Sequence, residues 1–196
     1  MYRFFLAAVD LLPAALLLIP VYMILNWMHF QNAGRSLLYY LFSCYLAVVY
    51  VLVGLPNVTY IRVEVNLNLI PLIGMIGDWK NSILNILLFV PLGMTLPLLW
   101  NKFRCAKNTV LFGLLMSLAI EILQILTFRA TDVNDLITNT LGAYLGFQCS
   151  KLWSRKHQPM SDGNFGEVCI VFAVVASMMF FVYPYVSAAL WDIVLS

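Results

Sequence analysis

The sequence predicts an all-α protein, a polytopic bundle of about six membrane-crossing helices, and three observations carry that expectation. Hydrophobic residue types make up 63% of the 196 residues, against 10% that are charged. Mean hydropathy is +0.90. Six apolar runs follow one another, each close to the ~20 residues that one bilayer crossing needs. An ordinary soluble domain is about half apolar and about a quarter charged, so a soluble globule of this make-up could not cover its own surface. Disorder needs the reverse, low hydrophobicity and high net charge. Residues 1–196 are therefore expected to form a single membrane domain.

The runs read as Phe4–Trp27, Leu37–Leu55, Ser82–Trp100, Thr109–Thr127, Leu136–Trp153 and Val168–Trp191. In the first, Arg3 precedes an apolar stretch as in a signal peptide, but no small-residue cleavage site follows, so a retained helix is expected. Pro13 and Pro20 interrupt it, Pro91 and Pro97 the third run and Pro184 the sixth. Neighbouring helices can satisfy the carbonyls that proline frees, so these positions read as kinks and not as ends. The fifth run is the least apolar, with Asp135 at its start and Lys151 inside it. Trp27, Trp79, Trp100, Trp153 and Trp191 fall at or near run ends, where amphipathic rings settle at headgroup level.

Charge placement sets the expected orientation. The connections after runs one, three and five hold Arg35, then Lys102, Arg104 and Lys107, then Lys151, Arg155 and Lys156; the opposite side holds Arg3, Arg62, Lys80 and Arg129. The side richer in Lys and Arg is cytoplasmic by the positive-inside rule, which places both termini outside. A net charge of +2 excludes nucleic-acid binding, which wants a basic face. Cys44, Cys105, Cys149 and Cys169 form no CxxC, and His29 and His157 sit in expected loops, so zinc spacing is absent. The cysteines are expected to be reduced thiols near or inside the cytoplasmic leaflet.

The polar residues gather in one leaflet. In the long connection from Pro56 to Asn81, Val63, Val65 and Leu67 alternate with Arg62, Glu64 and Asn66, the period of a short extended segment. At about 100° per residue, Gly113, Ser117, Glu121 and Gln124 fall within about 80° of one another on the fourth run. Asp132, Asp135, Asn139, Gly142 and Gly146 make a similar stripe on the fifth, and Gly142-xxx-Gly146 implies close contact with another helix. Asn85 on the third run and Asn139 sit roughly 5–7 Å below the outer boundary, and Glu121 roughly 10 Å. Asp10 joins that leaflet if the N-terminus is outside. Glu121 should face the bundle, either paired with Arg129 or carrying a proton because burial disfavours its charge.

Four pieces in order resemble the VanZ-like family of bacterial membrane proteins. They are Asn68-Leu69-Ile70-Pro71; Asn85-xxx-Phe89-x-Pro91-Leu92-Gly93; Glu121-xx-Gln124; and Arg129-xx-Asp132-xx-Asp135-xxx-Asn139-xx-Gly142-xxx-Gly146. The resemblance covers about residues 37–153, four of the six runs. Leu72 follows the first motif where the family commonly has an aromatic residue. The resemblance implies an envelope protein linked to tolerance of glycopeptides such as teicoplanin, and it supplies no catalytic mechanism.

The expected function is binding in the bacterial cytoplasmic membrane. Asn85, Glu121, Gln124, Arg129, Asp132, Asp135 and Asn139 would line an outer-leaflet pocket for an envelope lipid or cell-wall precursor headgroup. Arg129 would meet phosphate or carboxylate, and Glu121, Asp132 and Asp135 an amine or a divalent cation; no other cofactor is expected. Structural readings compete: interhelical packing for Glu121, Gln124 and Asn139, and helix capping for Asp132 and Asp135. Two other functions stay open. One is a membrane enzyme acting on a lipid-linked headgroup, with Glu121 or Asp135 as general acid/base. The other is a transporter or flippase, opposed by the lack of an internal repeat.

Overall fold

The structure, a computed structural model, describes residues 2–63, 67–68, 79–127, 131–154, 159, 161 and 165–195. It consists of long apolar helices in two compact units, Met1–Ile61 with Phe165–Ser196, and Arg62–Asn164. Leu11–Phe30, Ala33–Leu52, Trp79–Leu99, Ala106–Gln124 and Phe165–Ile193 are each long and apolar enough to cross a membrane.

In the first unit, α1 (Tyr2–Leu25) runs unbroken through Pro13 and Pro20. It continues into a π turn, Asn26–Phe30, which contains His29. Gln31 then takes a left-handed conformation (φ 47°) and its N–H donates to the Asn26 carbonyl at 2.8 Å. Left-handed backbone is costly for a residue with a Cβ; here it makes the sharp reversal into α2 (Ala33–Leu52). Asn32 caps that helix by accepting from the Arg35 N–H at 3.0 Å. Helices α1 and α2 are antiparallel: the Ser36 hydroxyl donates to the Tyr22 carbonyl and the Tyr40 hydroxyl to that of Ala15. The remaining apolar run forms α6 (Phe165–Ser177), a π turn at Met178–Val182, and α7 (Tyr183–Leu195). The turn precedes Pro184, whose missing N–H breaks the ordinary helical ladder.

Parallel packing joins α6 to α2. Arg35 forms an ion pair with Glu167 at 3.3 Å, and the buried Tyr39 hydroxyl donates to the same carboxylate at 2.6 Å. Further along, the Phe42 and Phe172 rings meet edge to face, and the Val58 N–H donates to the Phe180 carbonyl. The starts of α2 and α6 therefore lie at one end of this unit.

The second unit holds α3 (Trp79–Leu99), a 3-10 turn at Asn101–Arg104, α4 (Ala106–Gln124) and α5 (Val133–Ser154). Pro91 and Pro97 lie inside α3 without ending it. A Cβ on Gly142 would strike the Ile86 carbonyl and one on Gly146 that of Val90, so backbone packs on backbone and α3 and α5 run parallel. A Cβ on Gly113 would likewise strike Ala143, while Ser117 bonds Asn139, so α4 is antiparallel to α5. The extended segment expected around 62–67 is described only in part. Leu67–Asn68 (β1) pairs in parallel with Thr131–Asp132 (β2), register Leu67 to Thr131 and Asn68 to Asp132, and Arg62 bridges Thr127.

Two sequence expectations need correcting. Helix α4 ends at Gln124 and not at Thr127, because the chain turns there: the Leu126 and Thr127 N–H groups close tight bonds to the Leu123 and Gln124 carbonyls. Glu121 therefore lies less than one turn, about 4.5 Å of rise, from its helix end. Trp100 does not serve as a headgroup anchor. It is fully buried against Phe103, beneath the return of the chain, where Asn101 and Leu99 exchange backbone bonds with Ser161. Trp27, Trp79 and Trp153 are exposed at helix ends.

Candidate functional site

The polar stripes of α4 and α5 meet as a seam. Antiparallel packing sets Ser117 level with Asn139, and the Asn139 amide donates to the Ser117 hydroxyl at 2.9 Å. One turn further along α4, Glu121 is only 4% exposed. Its Oε2 accepts the Asp132 N–H at 2.9 Å, and its own backbone carbonyl accepts the Thr131 hydroxyl at 3.0 Å. One residue of α4 thus holds the strand that leads into α5. Asp132 in turn caps α5 by accepting the Asn134 N–H at 2.8 Å. Asp135 stands in the first turn of α5, where a carboxylate suits the helix dipole.

Burial is graded along this seam. Asp132 and Asp135 are half-buried at its end, Glu121 and Gln124 are buried behind them, and Ser117 and Asn139 are buried one turn deeper. Asn139 is 3% exposed, and its Oδ1 has no hydrogen-bond partner among the described residues. A buried acceptor left in that state costs free energy, so natural interiors seldom keep one without a reason.

The expected constellation is gathered only in part. Glu121, Asp132 and Asn139 share the α4–α5 seam, with Gln124 and Asp135 on the same stripes. Asn85 belongs to α3, half-buried next to Ile86, whose carbonyl abuts Gly142. The α5 stripe divides: Gly142 and Gly146 serve α3, whereas Asn139 serves α4. Arg129 lies outside the described residues, as do Glu64–Asn66, the Leu69–Pro71 part of the first motif, Arg155, Lys156, His157 and the Asp10 side chain. Among the described residues, no three of His, Cys, Asp and Glu are grouped to hold a metal ion.

Three participants were not among the expected site residues. Ser117 was visible on the polar face of α4, but its partner depends on interhelical register. Thr131 and Asn68 act through the strand pair, for which the period-two segment was the signal. A separate cavity of about 290 Å³ opens in the first unit, lined by Ile19, Tyr22, Met23, Ser36, Leu37 and Tyr40. Its lining carries no charge, which sets it apart from the carboxylate seam.

The VanZ/LLP1 family model matches residues 12–154. Protein VanZ of Enterococcus faecium is 31% identical over 119 residues, which cover 60% of this chain and 71% of that protein. The family match begins within α1, ahead of the stretch on which the motif resemblance rests. No solved structure matches the chain.

Proposed function

The chain belongs to the VanZ/LLP1 family, and on that footing we propose that it is a binding protein of the bacterial cytoplasmic membrane that contributes to glycopeptide tolerance. Its α4–α5 seam engages the headgroup of an envelope lipid or cell-wall precursor in the outer leaflet. Glu121, Asp132 and Asp135 meet an amine, or a divalent cation bridging to phosphate, and Arg129 meets phosphate or carboxylate. One observation carries the reading: Glu121, on an apolar helix, is buried against α5, with Asp132 and Asp135 half-buried towards the helix ends and the Asn139 amide one turn deeper. A carboxylate in a membrane-spanning helix is expensive and marks function by default.

Chain parity supports six passes. The starts of α2 and α6 are at one end of their unit, joined by Arg35 and Glu167. After α2 has crossed, the chain must recross an odd number of times before α6 begins. Three crossings, by α3, α4 and α5, meet that requirement; α3 and α4 alone do not. This favours α5 as a sixth span despite its polar stripe; the Lys/Arg asymmetry then puts both termini outside and the seam in the outer leaflet.

The test replaces Glu121, Arg129 or Asp135 with Ala and measures protein abundance beside teicoplanin susceptibility. Reduced protection at normal abundance is expected for each. Unchanged protection for all three at normal abundance overturns the reading.

A further inference from the structure

We propose that the α4–α5 seam binds a primary ammonium group, with Glu121 as its counter-charge and the Asn139 side-chain oxygen as a second acceptor on the floor. This deepens the headgroup reading and rests on it. Of the cations that reading admits, it selects an alkylammonium over a metal ion.

The Asn139 amide is anchored at one end, its nitrogen donating to Ser117 at 2.9 Å, and its buried oxygen is left with no bond among the described residues. The Glu121 carboxylate, 4% exposed, is anchored nearby through Oε2, which accepts the Asp132 N–H. What completes such a pair is a ligand with several N–H donors and a positive charge.

The two acceptors share one seam. Glu121 stands one turn above Ser117 on α4, and Ser117 bonds the Asn139 amide. A hard divalent cation such as Ca²⁺ instead takes about six to eight oxygens, and no three metal-binding side chains of the described residues are grouped here. Asp132 and Asp135, half-buried at the mouth, add attraction for a cation approaching from the helix ends. A quaternary nitrogen offers no N–H and leaves the Asn139 oxygen unpaired, so the site discriminates by hydrogen bonding and not by charge alone.

A lipid headgroup and a soluble amine share this chemistry. Purified full-length protein in detergent micelles would be titrated with phosphatidylethanolamine, with phosphatidylcholine (its N-trimethylated counterpart), with phosphatidylglycerol, and with free ethanolamine. Binding would be read by native mass spectrometry and by the shift in thermal midpoint. At least tenfold preference for phosphatidylethanolamine over phosphatidylcholine is expected, reduced to near parity by Glu121→Gln and by Asn139→Leu. Binding of ethanolamine alone assigns the ammonium to a soluble source and upholds the site. Where Glu121→Gln does not fold, Asp135→Asn at the mouth should weaken the preference at least threefold. Equal binding of the two zwitterionic lipids, preference for phosphatidylglycerol, or selectivity that survives every folded variant overturns the proposal. Loss of teicoplanin protection in the Ala variants without ammonium selectivity would remove this inference and leave the headgroup reading standing.

Discussion

At Glu121 one side chain and one backbone carbonyl hold the start of α5 to the end of α4, through Asp132 and Thr131. The carboxylate therefore has a local duty besides any ligand: it satisfies one of the N–H groups at a strand-to-helix junction, which α5 itself cannot satisfy. Glu121→Ala removes that acceptor and should lower stability by about 1–3 kcal/mol. Glu121→Gln retains an acceptor oxygen of the same reach and should cost less than half as much, as measured by reversible unfolding in micelles. Equal losses would mean that charge, and not hydrogen bonding, holds the junction. That Glu121 faces protein was legible from helical periodicity, since the cost of exposing it to lipid leaves no alternative. Its partner was not. The expectation was a pairing with Arg129, which lies outside the described residues, or a proton on the carboxylate; the bond to the Asp132 backbone depends on a turn and a strand register that no single-helix pattern contains.

In the second unit α3 and α5 meet by close backbone approach. Gly142 and Gly146 bring α5 onto the α3 carbonyls of Ile86 and Val90, and Gly93 brings α3 onto that of Ala143. In lipid, where apolar side chains gain little by leaving the solvent, such packing is the main source of helix association. Gly146→Ala puts a methyl onto backbone that cannot rotate away and should cost more than about 2 kcal/mol, an overpacking loss. Gly34→Ala is the control: its Cβ meets only the Asn32 side chain at 3.4 Å. Helix propensity there should offset most of any loss, leaving a change within about 1 kcal/mol. Similar unfolding midpoints for the two variants would refute this account of the α3–α5 contact. The close approach was legible in the spacing of Gly142 and Gly146, and helix continuity through Pro13, Pro20, Pro91 and Pro97 was legible because membrane helices tolerate proline. The α5 stripe reads as one face in sequence, yet it serves two neighbours, because its edges are about 80° apart and helices on either side can each claim one.

Across the chain, the number of passes turns on α5, which has the length of a span but too many polar residues to be recognised by hydropathy alone. Its Asn139, Gly142 and Gly146 face neighbouring helices, so average hydropathy understates its fitness to cross. The ion pair between Arg35 and Glu167 argues from outside this helix, by requiring an odd number of crossings between α2 and α6. Thiol labelling separates the alternatives. Cys105, exposed between α3 and α4, and a cysteine introduced at the exposed Phe165 that opens α6 would each be placed in a background without other cysteines. With six passes, both are on the cytoplasmic side. A membrane-impermeant maleimide should then leave both unmodified in intact cells and label both in inverted vesicles. If α5 does not cross, Cys105 and position 165 fall on opposite sides, and one of them is labelled in intact cells. Labelling of position 165 would remove α5 as a span and leave the seam outside, whereas labelling of Cys105, which directly precedes α4, would carry the carboxylate seam to the cytoplasmic side.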